Sequence, residues 1–301
     1  MKIAYIARPY RYSNLLKKGL REEHEVDEFK CYEELKYPKN YDILFVESIG
    51  RDSMLASQVK HKCLIILATG VDLYEGSLHR LDWDNIDCLL TYSKHQAEYF
   101  KRRWGATCSP GKVAILPVPA PLDEFSLKKN KRANNKVALI ANITDRKGTY
   151  QIPEFLQRFP DLEIHHLGKV CLYGNPVREF VRWRLGKDGN TKRYHWQKHE
   201  GPHRMNKWFE DKTYLWMPTI SEGFCRAILE GMTKGLKPIV RRFAGSEEIW
   251  MKESLYDRME EIDKIVRSSY EPKKYREYVI ENYHAAKIII KLKKIIYDLR
   301  L

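Results

Sequence analysis

Residues 214–240, YLWMPTISEGFCRAILEGMTKGLKPIV, carry the clearest fold signal in the sequence. The apolar run YLWMPT has the length of a strand, and a short loop containing Gly223 follows it. The segment FCRAILEGMTK then has helical character, and Gly235 is placed where a helix commonly ends. Since the apolar run KPIVRR comes next, the order of strand, helix and strand predicts a parallel βαβ unit.

The same alternation of apolar runs and helical segments extends over most of the chain. Runs of strand length include KIAYIA (2–7), YDILFVES (41–48), KCLIILATG (62–70), IDCLLTYS (86–93), KVALIAN (136–142) and LEIHHLG (162–168). The polar run LKKNKRANNK (127–136) lacks apolar periodicity and is typical of a linker. We therefore predict an α/β protein with one domain over 1–130, a second over 131–271, and a helical segment over 272–301.

The C-terminal segment is predicted to contain an amphipathic helix. Lysines occupy one face of it, and the opposite face is apolar: Ile288, Ile289, Leu292, Ile295, Ile296 and Leu299. A helix packed against the folded domains is the favoured interpretation. A basic helix lying on a membrane surface is the alternative.

The composition indicates a globular chain with excess positive charge. The 301 residues carry a net charge of +14, which favours an anionic partner such as a phosphorylated ligand, acidic lipid or nucleic acid. No apolar window is long enough to span a membrane, and the N-terminal residues lack the features of a signal peptide. The cysteines lie far apart, which predicts reduced thiols. We expect a cytoplasmic protein, with peripheral attachment to a membrane surface as a variant.

Two glutamates flank the start of the predicted helix near Phe224. Glu222 precedes the helix, and Glu230 lies about 9 Å along its axis. Backbone N–H groups at a helix start attract phosphate, and Gly223 allows a ligand to approach the backbone closely. Carboxylates accept hydrogen bonds from hydroxyl groups, so the pair suits a diphosphate with a sugar on each side. A surface helix that carries glutamates by chance is the competing interpretation.

The stretch SEGFCRAILEGMTKGLKPIV resembles a motif of the retaining glycosyltransferases of family 4, E-G-F-G-x-x-x-x-E-A-M-A-x-G-x-P-V-I. Six positions fall on the pattern, Glu222, Gly223, Phe224, Glu230, Met232 and Gly235, and Pro238 lies one residue after the position of the family's proline. Cys225 replaces the usual second glycine, and Gly231 and Thr233 replace two alanines.

Other segments extend the resemblance and add candidate residues. IANITDRKG (140–148) is similar to V-G-R-L-x-x-x-K-G, with Lys147 on pattern and Asn142 where the family has an arginine; Arg146 is the candidate to compensate. FAGSEEIW (243–250) resembles the family's G-G-x-x-E-I loop and contributes Glu248. The family's His-Gly after an N-terminal strand is replaced here by Thr69 and Gly70, with Asp72 as a nearby polar group, which leaves the acceptor chemistry open.

The resemblance implies the GT-B fold, in which two Rossmann-like domains face each other across a cleft and a C-terminal helix crosses back to the first. It also implies transfer of a sugar from a nucleotide-diphosphate sugar with retention of configuration, without a cofactor or metal. Lys147 and Glu222 are the candidate catalytic residues. The candidate donor-binding residues are Asn142, Arg146, Lys147, Gly223, Phe224, Cys225, Glu230 and Glu248. Thr69, Gly70 and Asp72 are acceptor-side candidates.

A basic, aromatic-rich segment over 169–208 bears on the acceptor. Such a segment can bind single-stranded nucleic acid, acidic lipid or an anionic glycan, or form a solvated loop with its aromatics packed inward. His195, His199 and His203 are four apart and are interpreted as surface histidines rather than a metal site, because no carboxylate or cysteine partner is assigned to them. The acceptor is expected to be a glycan, a lipid-linked molecule or a polymer. A glycosyltransferase acting on nucleic acid and a non-catalytic sugar-nucleotide or polyanion-binding protein are the alternatives.

Overall fold

The computed structural model describes residues 1–7, 11–69, 72–73, 77–105, 110–129, 133–169, 192–198 and 204–299. The chain divides into two compact units. Unit 1 consists of Met1–Pro121 and Tyr283–Leu301, and unit 2 consists of Leu122–Asn282.

Unit 1 contains a parallel sheet of six strands. They are β1 (Lys2–Ile6), β2 (Glu25–Phe29), β3 (Ile43–Glu47), β4 (Leu64–Leu67), β5 (Cys88–Thr91) and β6 (Lys112–Ile115), in the spatial order β2-β1-β3-β4-β5-β6. Helices α1 (Arg11–Leu20), α2 (Arg51–Ser57) and α3 (Lys94–Trp104) lie in the connections. Strands β3, β4 and β5 are buried throughout, which is why their sequences are continuous apolar runs.

Unit 2 contains a second parallel sheet of six strands. They are β7 (Lys136–Ile140), β8 (Glu163–Leu167), β9 (Tyr194–Gln197), β10 (Tyr214–Met217), β11 (Lys237–Arg241) and β12 (Leu255–Tyr256), in the order β12-β11-β10-β7-β8-β9. The helices are α4 (Ile152–Arg158), α5 (Met205–Trp208), α6 (Arg226–Lys234), α7 (Ser246–Ile249), α8 (Ile262–Arg267) and α9 (Pro272–Tyr283). Numbered within the unit, this is the strand order of dinucleotide-binding Rossmann sheets.

The stretch 214–240 forms the predicted strand, helix and strand. Trp216 of β10 is fully buried, stacks on Phe155 with ring centroids 4.2 Å apart, and donates to the hydroxyl of Tyr256 at 2.9 Å. Helix α6 ends at Gly235, which has a φ of 92°, a conformation that glycine adopts without strain. A Cβ on Gly231 would lie 2.4 Å from Leu215 Cδ2, so the absence of a side chain there lets α6 approach β10.

The last helix, α10 (Ala285–Asp298), packs within unit 1. Its apolar face is buried at Ile288, Leu292, Ile295 and Ile296. A Cβ on Gly19 of α1 would lie 2.5 Å from the side chain of Ile289, so these two helices are in close contact. The apolar face of α10 is therefore covered by other residues of unit 1. Within the described ranges, no helix is both long enough and apolar enough to cross a bilayer.

The division of the chain differs in position from the predicted boundaries at 130 and 272. Lys128, in the predicted linker, is buried, and its Nζ donates to the carbonyl of Lys212 at 2.6 Å. These contacts fix the first residues of the linker to unit 2. At the other end, α9 belongs with unit 2, where Tyr278 donates to the carbonyl of Ile249 at 3.0 Å. The polar composition of the predicted linker does not indicate that the ammonium group of Lys128 binds a backbone carbonyl of unit 2.

Candidate functional site

The strand order of unit 2 reverses between β7 and β10. From β7 the chain runs outward through β8 and β9, and then returns to place β10 on the other side of β7. In sheets of this type, ligands bind outside the carboxyl ends of the strands at such a reversal. The two loops that begin there, after Ile140 and after Met217, contain most of the candidate donor-binding residues.

Backbone hydrogen bonds hold these two loops together. The carbonyl of Arg146 accepts from the amide of Ile220 at 3.0 Å and from the hydroxyl of Thr219 at 3.1 Å. The guanidinium of Arg146 in turn donates to the carbonyl of Ser221 at 3.1 Å. The position of Lys147, the next residue, is therefore fixed by the loop after β10 as well as by its own turn.

Gly148 allows the two loops to make this contact. It has a φ of 66°, in the left-handed region, and a Cβ added to it would lie 2.0 Å from the carbonyl oxygen of Pro218. Any side chain at this position would be strained by the left-handed backbone conformation. It would also clash with the carbonyl oxygen of Pro218, a backbone atom that cannot rotate away.

Replacement of Gly148 with alanine is expected to lower the free energy of unfolding of unit 2 by about 2 kcal/mol, because of the left-handed backbone and the contact with Pro218. Denaturant unfolding followed by tryptophan fluorescence measures this change. The matched control is Asp145→Ala, which alters an exposed side chain in the same turn. Equal stability of the two variants would contradict the role given to Gly148.

Lys147 and Glu222 form an ion pair between the two loops. Lys147 Nζ donates to Glu222 Oε1, and Arg146 Nη1 lies 3.8 Å from the same oxygen. The Glu222 side chain is 9% exposed and that of Lys147 is 20% exposed, so the pair is largely shielded from water. Burial lowers the pKa of the Lys147 ammonium, and the positive charges of Arg146 and Arg226 act in the same direction.

The start of α6 lies directly beside this pair. Helix α6 begins at Arg226, after Gly223, Phe224 and Cys225, all three of which are buried. Phe224 packs on Trp250, with ring centroids 5.2 Å apart, and so anchors the loop. The amide of Ile228 donates to the carbonyl of Cys225 at 3.1 Å, and the helix dipole adds partial positive charge at the helix start. Lys147, Arg146 and this helix start together form a region of positive potential.

Cys225 occupies the residue before α6, where the motif usually has glycine. Burial raises the pKa of its thiol, against the opposing effects of Lys147 and of the amides of Ala227 and Ile228. The thiol therefore stays protonated at neutral pH and acts as a small apolar group. It fills space beside the helix start without adding a negative charge.

Three further donor-binding candidates lie around this region with different surroundings. Glu230 is partly buried within α6, and Glu248 is exposed in α7. Asn142 is exposed, and its Oδ1 accepts from the backbone amide of Lys169 at 3.1 Å. Asn142 therefore binds the neighbouring backbone.

The acceptor-side candidates lie in unit 1. The Asp72 carboxylate accepts from the amide and hydroxyl of Thr69 at 2.9 and 2.7 Å, and from the amide of Ile49 at 2.9 Å. Asp72 thus ties the loop after β4 to the loop after β3, where Ser48 has a φ of 78°. Gly70 lies outside the described residues.

A buried polar cluster in unit 1 was not identified from the sequence. The order of this sheet reverses between β1 and β3, and Glu47 at the end of β3 accepts from Tyr5 of β1 and from Ser13 of α1, the latter at 2.6 Å. Burial raises the pKa of Glu47, while the hydrogen bonds from Ser13 and Tyr5 oppose the shift. The sequence feature that could have indicated this cluster is Glu47, the acidic residue that follows the apolar residues of YDILFVES.

Much of the basic segment 169–208 lies outside the described residues, including His199 and His203. Its described part contributes to a cavity of about 840 Å³ in unit 2. The lining includes four basic residues and an aromatic one: Lys198, Arg204, Lys207, Lys212 and Trp208. The lining also includes Asp211, which pairs with Lys212, and the Lys212 ammonium lies 4.5 Å from the centroid of the Trp208 ring, so the basic residues remain in excess.

Comparison with known proteins identifies the fold. No protein-family model matches the chain, and no curated protein matches its sequence. Among solved structures, it resembles HepE of Anabaena in complex with UDP and glucose, with 10% identity and a TM-score of 0.75 over 99% of this chain and 100% of HepE. It also resembles sucrose-phosphate synthase from Thermosynechococcus elongatus, with 15% identity and a TM-score of 0.77 over 99% of both chains.

A third similar structure is a glycosyltransferase from Rickettsia africae, with 14% identity and a TM-score of 0.69 over 99% of this chain and 98% of that chain. Together with the two six-stranded parallel sheets, these similarities confirm the predicted α/β fold of the GT-B type.

Proposed function

We propose that this protein is a glycosyltransferase that binds a nucleotide-diphosphate sugar in unit 2, at the reversal of strand order between β7 and β10. The observation that carries the proposal is the Lys147–Glu222 pair beside the start of α6. It combines a cation and helix amides for phosphate with a carboxylate for hydroxyl groups, all at the position where such sheets bind ligands.

The donor would be held through its diphosphate. Lys147, with Arg146 at its side, would neutralise the phosphates, and the amides of the first turn of α6 would bind their oxygens. When the diphosphate replaces Glu222 as the ion-pair partner of Lys147, the Glu222 carboxylate becomes available to accept hydrogen bonds from hydroxyls of the donor sugar. Glu230, further along α6, would hold the ribose. The complex of HepE with UDP and glucose supports UDP as the first nucleotide to test.

The reaction we propose retains the configuration of the transferred sugar. The bond between the anomeric carbon and the phosphate oxygen breaks, and the acceptor oxygen forms the new bond on the same face. The acceptor proton passes to an oxygen of the leaving diphosphate, so no residue of the protein is required as a nucleophile. The contribution of the protein is to stabilise charge on that diphosphate through Lys147 and to position the acceptor. The transfer is proposed to need no divalent metal.

The acceptor is proposed to be an anionic glycan, lipid-linked or polymeric molecule. The net charge of +14 and the basic cavity near Trp208 support an anionic partner. Peripheral attachment of the protein to an acidic membrane surface in the cytoplasm is consistent with the same positive net charge. A nucleic acid acceptor is the second candidate, and the observation that favours it is the presence of Trp208 beside basic residues in the cavity lining. Salt-dependent binding of an oligonucleotide that competes with the glycan would support this second candidate.

Unit 2 is expected to bind one sugar nucleotide in preference to others. A thermal-shift screen with UDP-, GDP-, ADP- and CMP-sugars measures this, and a rise in melting temperature with one nucleotide class is the expected result. Calorimetry with the selected donor should show about tenfold weaker binding in Glu230→Ala, because hydrogen bonds to a charged group are lost. The control is Glu154→Ala, an exposed glutamate of α4. No response to any donor would overturn the proposed site.

Turnover separates a transferase from a protein that only binds sugar nucleotides. Incubation of the donor alone and with candidate acceptors, followed by measurement of released nucleoside diphosphate, is the appropriate assay. Release that depends on the acceptor supports transfer. Donor binding without release, across a panel of glycan and lipid-linked acceptors, would instead support a non-catalytic binding protein.

A further inference from the structure

Three potential metal ligands converge on one face of the unit 2 sheet. Glu163 and His165 are two residues apart on β8, so their side chains lie on the same face. His195 of β9 is the register partner of His165, and the two imidazole rings have centroids 4.8 Å apart. β9 is the terminal strand of the sheet, so the cluster links the edge strand to its only neighbour in the described sheet order.

The distances within the cluster are close to those of a metal site. His165 Nε2 lies 3.2 Å from Glu163 Oε1, and His195 Nε2 lies 3.7 Å from Glu163 Oε2. The three ligand atoms all lie within 4.8 Å of one another. Around a tetrahedral zinc ion with bonds of about 2.1 Å, neighbouring ligand atoms are about 3.4 Å apart. Small rotations of the side chains would therefore bring all three atoms to one ion.

Two lysines lie near the cluster, Lys136 and Lys212, and each pairs with Asp211. Lys136 lies 4.0 Å from Glu163 Oε1, but it has a closer partner in Asp211 at 3.0 Å. The side chain of His195 is 44% exposed, so an ion can enter from solvent.

His166, on the opposite face of β8, is a structural histidine whose ring nitrogens have different partners from those of His165 and His195. It is fully buried, and its two ring nitrogens lie 2.8 Å from the hydroxyl of Tyr194 and 2.8 Å from the carbonyl of Ala141. Both of its nitrogens are thus occupied by fixed groups of the fold. The partners of His165 and His195 in the cluster are instead a shared carboxylate and each other.

We propose that Glu163, His165 and His195 bind a divalent transition-metal ion, with zinc as the first candidate and water completing its coordination. Two imidazole nitrogens and one carboxylate oxygen form a ligand set that zinc accepts. The ion would join the short edge strand β9 to β8 and oppose its opening. This function is separate from sugar transfer, because none of the three residues belongs to the proposed donor site.

The test uses the full chain without a polyhistidine tag, freed of metal by a chelator. Titration with zinc against a chromophoric chelator should give one ion per chain. His165→Ala and His195→Ala should each weaken zinc binding by about 100-fold, whereas His95→Ala, in α3 of unit 1, should leave it unchanged. Zinc should also raise the melting temperature of the wild type and slow amide hydrogen exchange in Tyr194–Gln197.

Each result decides for or against the site. Glu163→Gln keeps the size of the side chain and serves as a second variant if an alanine variant folds poorly. Absence of zinc binding in the wild type, or equal binding by wild type and both histidine variants, would overturn the proposal. Zinc binding without added protection of Tyr194–Gln197 would overturn the role in holding the edge strand. Because the readouts are binding and exchange, they do not depend on the proposed transferase activity.

Discussion

Replacing Lys147 with alanine is expected to lower sugar transfer by about 100- to 1,000-fold at saturating donor. The leaving diphosphate gains negative charge as its bond to the sugar breaks, and the ammonium of Lys147 is positioned to stabilise that charge. The side chain is 20% exposed, so its field is screened by water only in part. The backbone of Lys147 is held by the contacts between the two loops that Gly148 permits. The measurement is kcat and KM for the donor identified by the thermal-shift screen.

Two controls separate this effect from a loss of folding or of net charge. Lys264→Ala removes one exposed positive charge from α8 of the same unit and should leave turnover unchanged. The double variant Lys147→Ala/Glu222→Ala removes the buried carboxylate together with its partner, so it should be more stable than Lys147→Ala while remaining equally inactive. Transfer by Lys147→Ala within a few-fold of wild type would exclude the proposed role.

Glu222→Gln is expected to change binding and transfer in opposite directions. In the donor-free protein the diphosphate must compete with the Glu222 carboxylate for Lys147, and glutamine removes that competition. UDP should therefore bind up to about tenfold more tightly to the variant. Sugar transfer should fall by about 100-fold, because a charged acceptor for the sugar hydroxyls is lost. Calorimetry with UDP and an assay of transfer give the two quantities.

The same substitution predicts a change in stability without donor. Lys147 would remain largely buried without its counter-charge, so we expect the free energy of unfolding to fall by about 2 kcal/mol. UDP at saturating concentration should restore part of this loss by supplying negative charge at the same place. Weaker UDP binding in parallel with weaker transfer would show that Glu222 supports the diphosphate site itself.

The sequence indicated which two loops contain the residues of the proposed donor site, because both loops follow strands of one parallel sheet. Lys147 and Glu222 are separated by 75 positions, yet each follows an apolar strand with a turn that contains glycine. Parallel strands present their carboxyl ends at one edge, so residues of this kind are expected to be neighbours if their strands are adjacent. The strand–turn–helix pattern therefore predicted the fold and pointed to Glu222, whereas Lys147 was named from the resemblance of IANITDRKG to the family motif.

Other features depend on strand register and on packing between distant segments, which local sequence patterns do not predict. The ion pair of Lys147 with Glu222 required the contact of Gly148 with Pro218, and the cluster of His165 with His195 required the pairing of β8 with β9. His195 was interpreted as a surface histidine because its acidic neighbour, Glu163, is distant in sequence. A one-residue shift in register would place the two histidines on opposite faces.

The discontinuity of unit 1 has a consequence for how the chain folds as it is made. All of unit 2, residues 122–282, leaves the ribosome before the α10 residues that cover α1. Unit 2 can therefore complete its sheet during translation, since domains generally fold as units when their residues are available. Unit 1 has its six strands early but lacks α10, so the surface around Gly19 stays uncovered until the last turns are synthesised. A nascent chain of this protein thus finishes its second unit before its first.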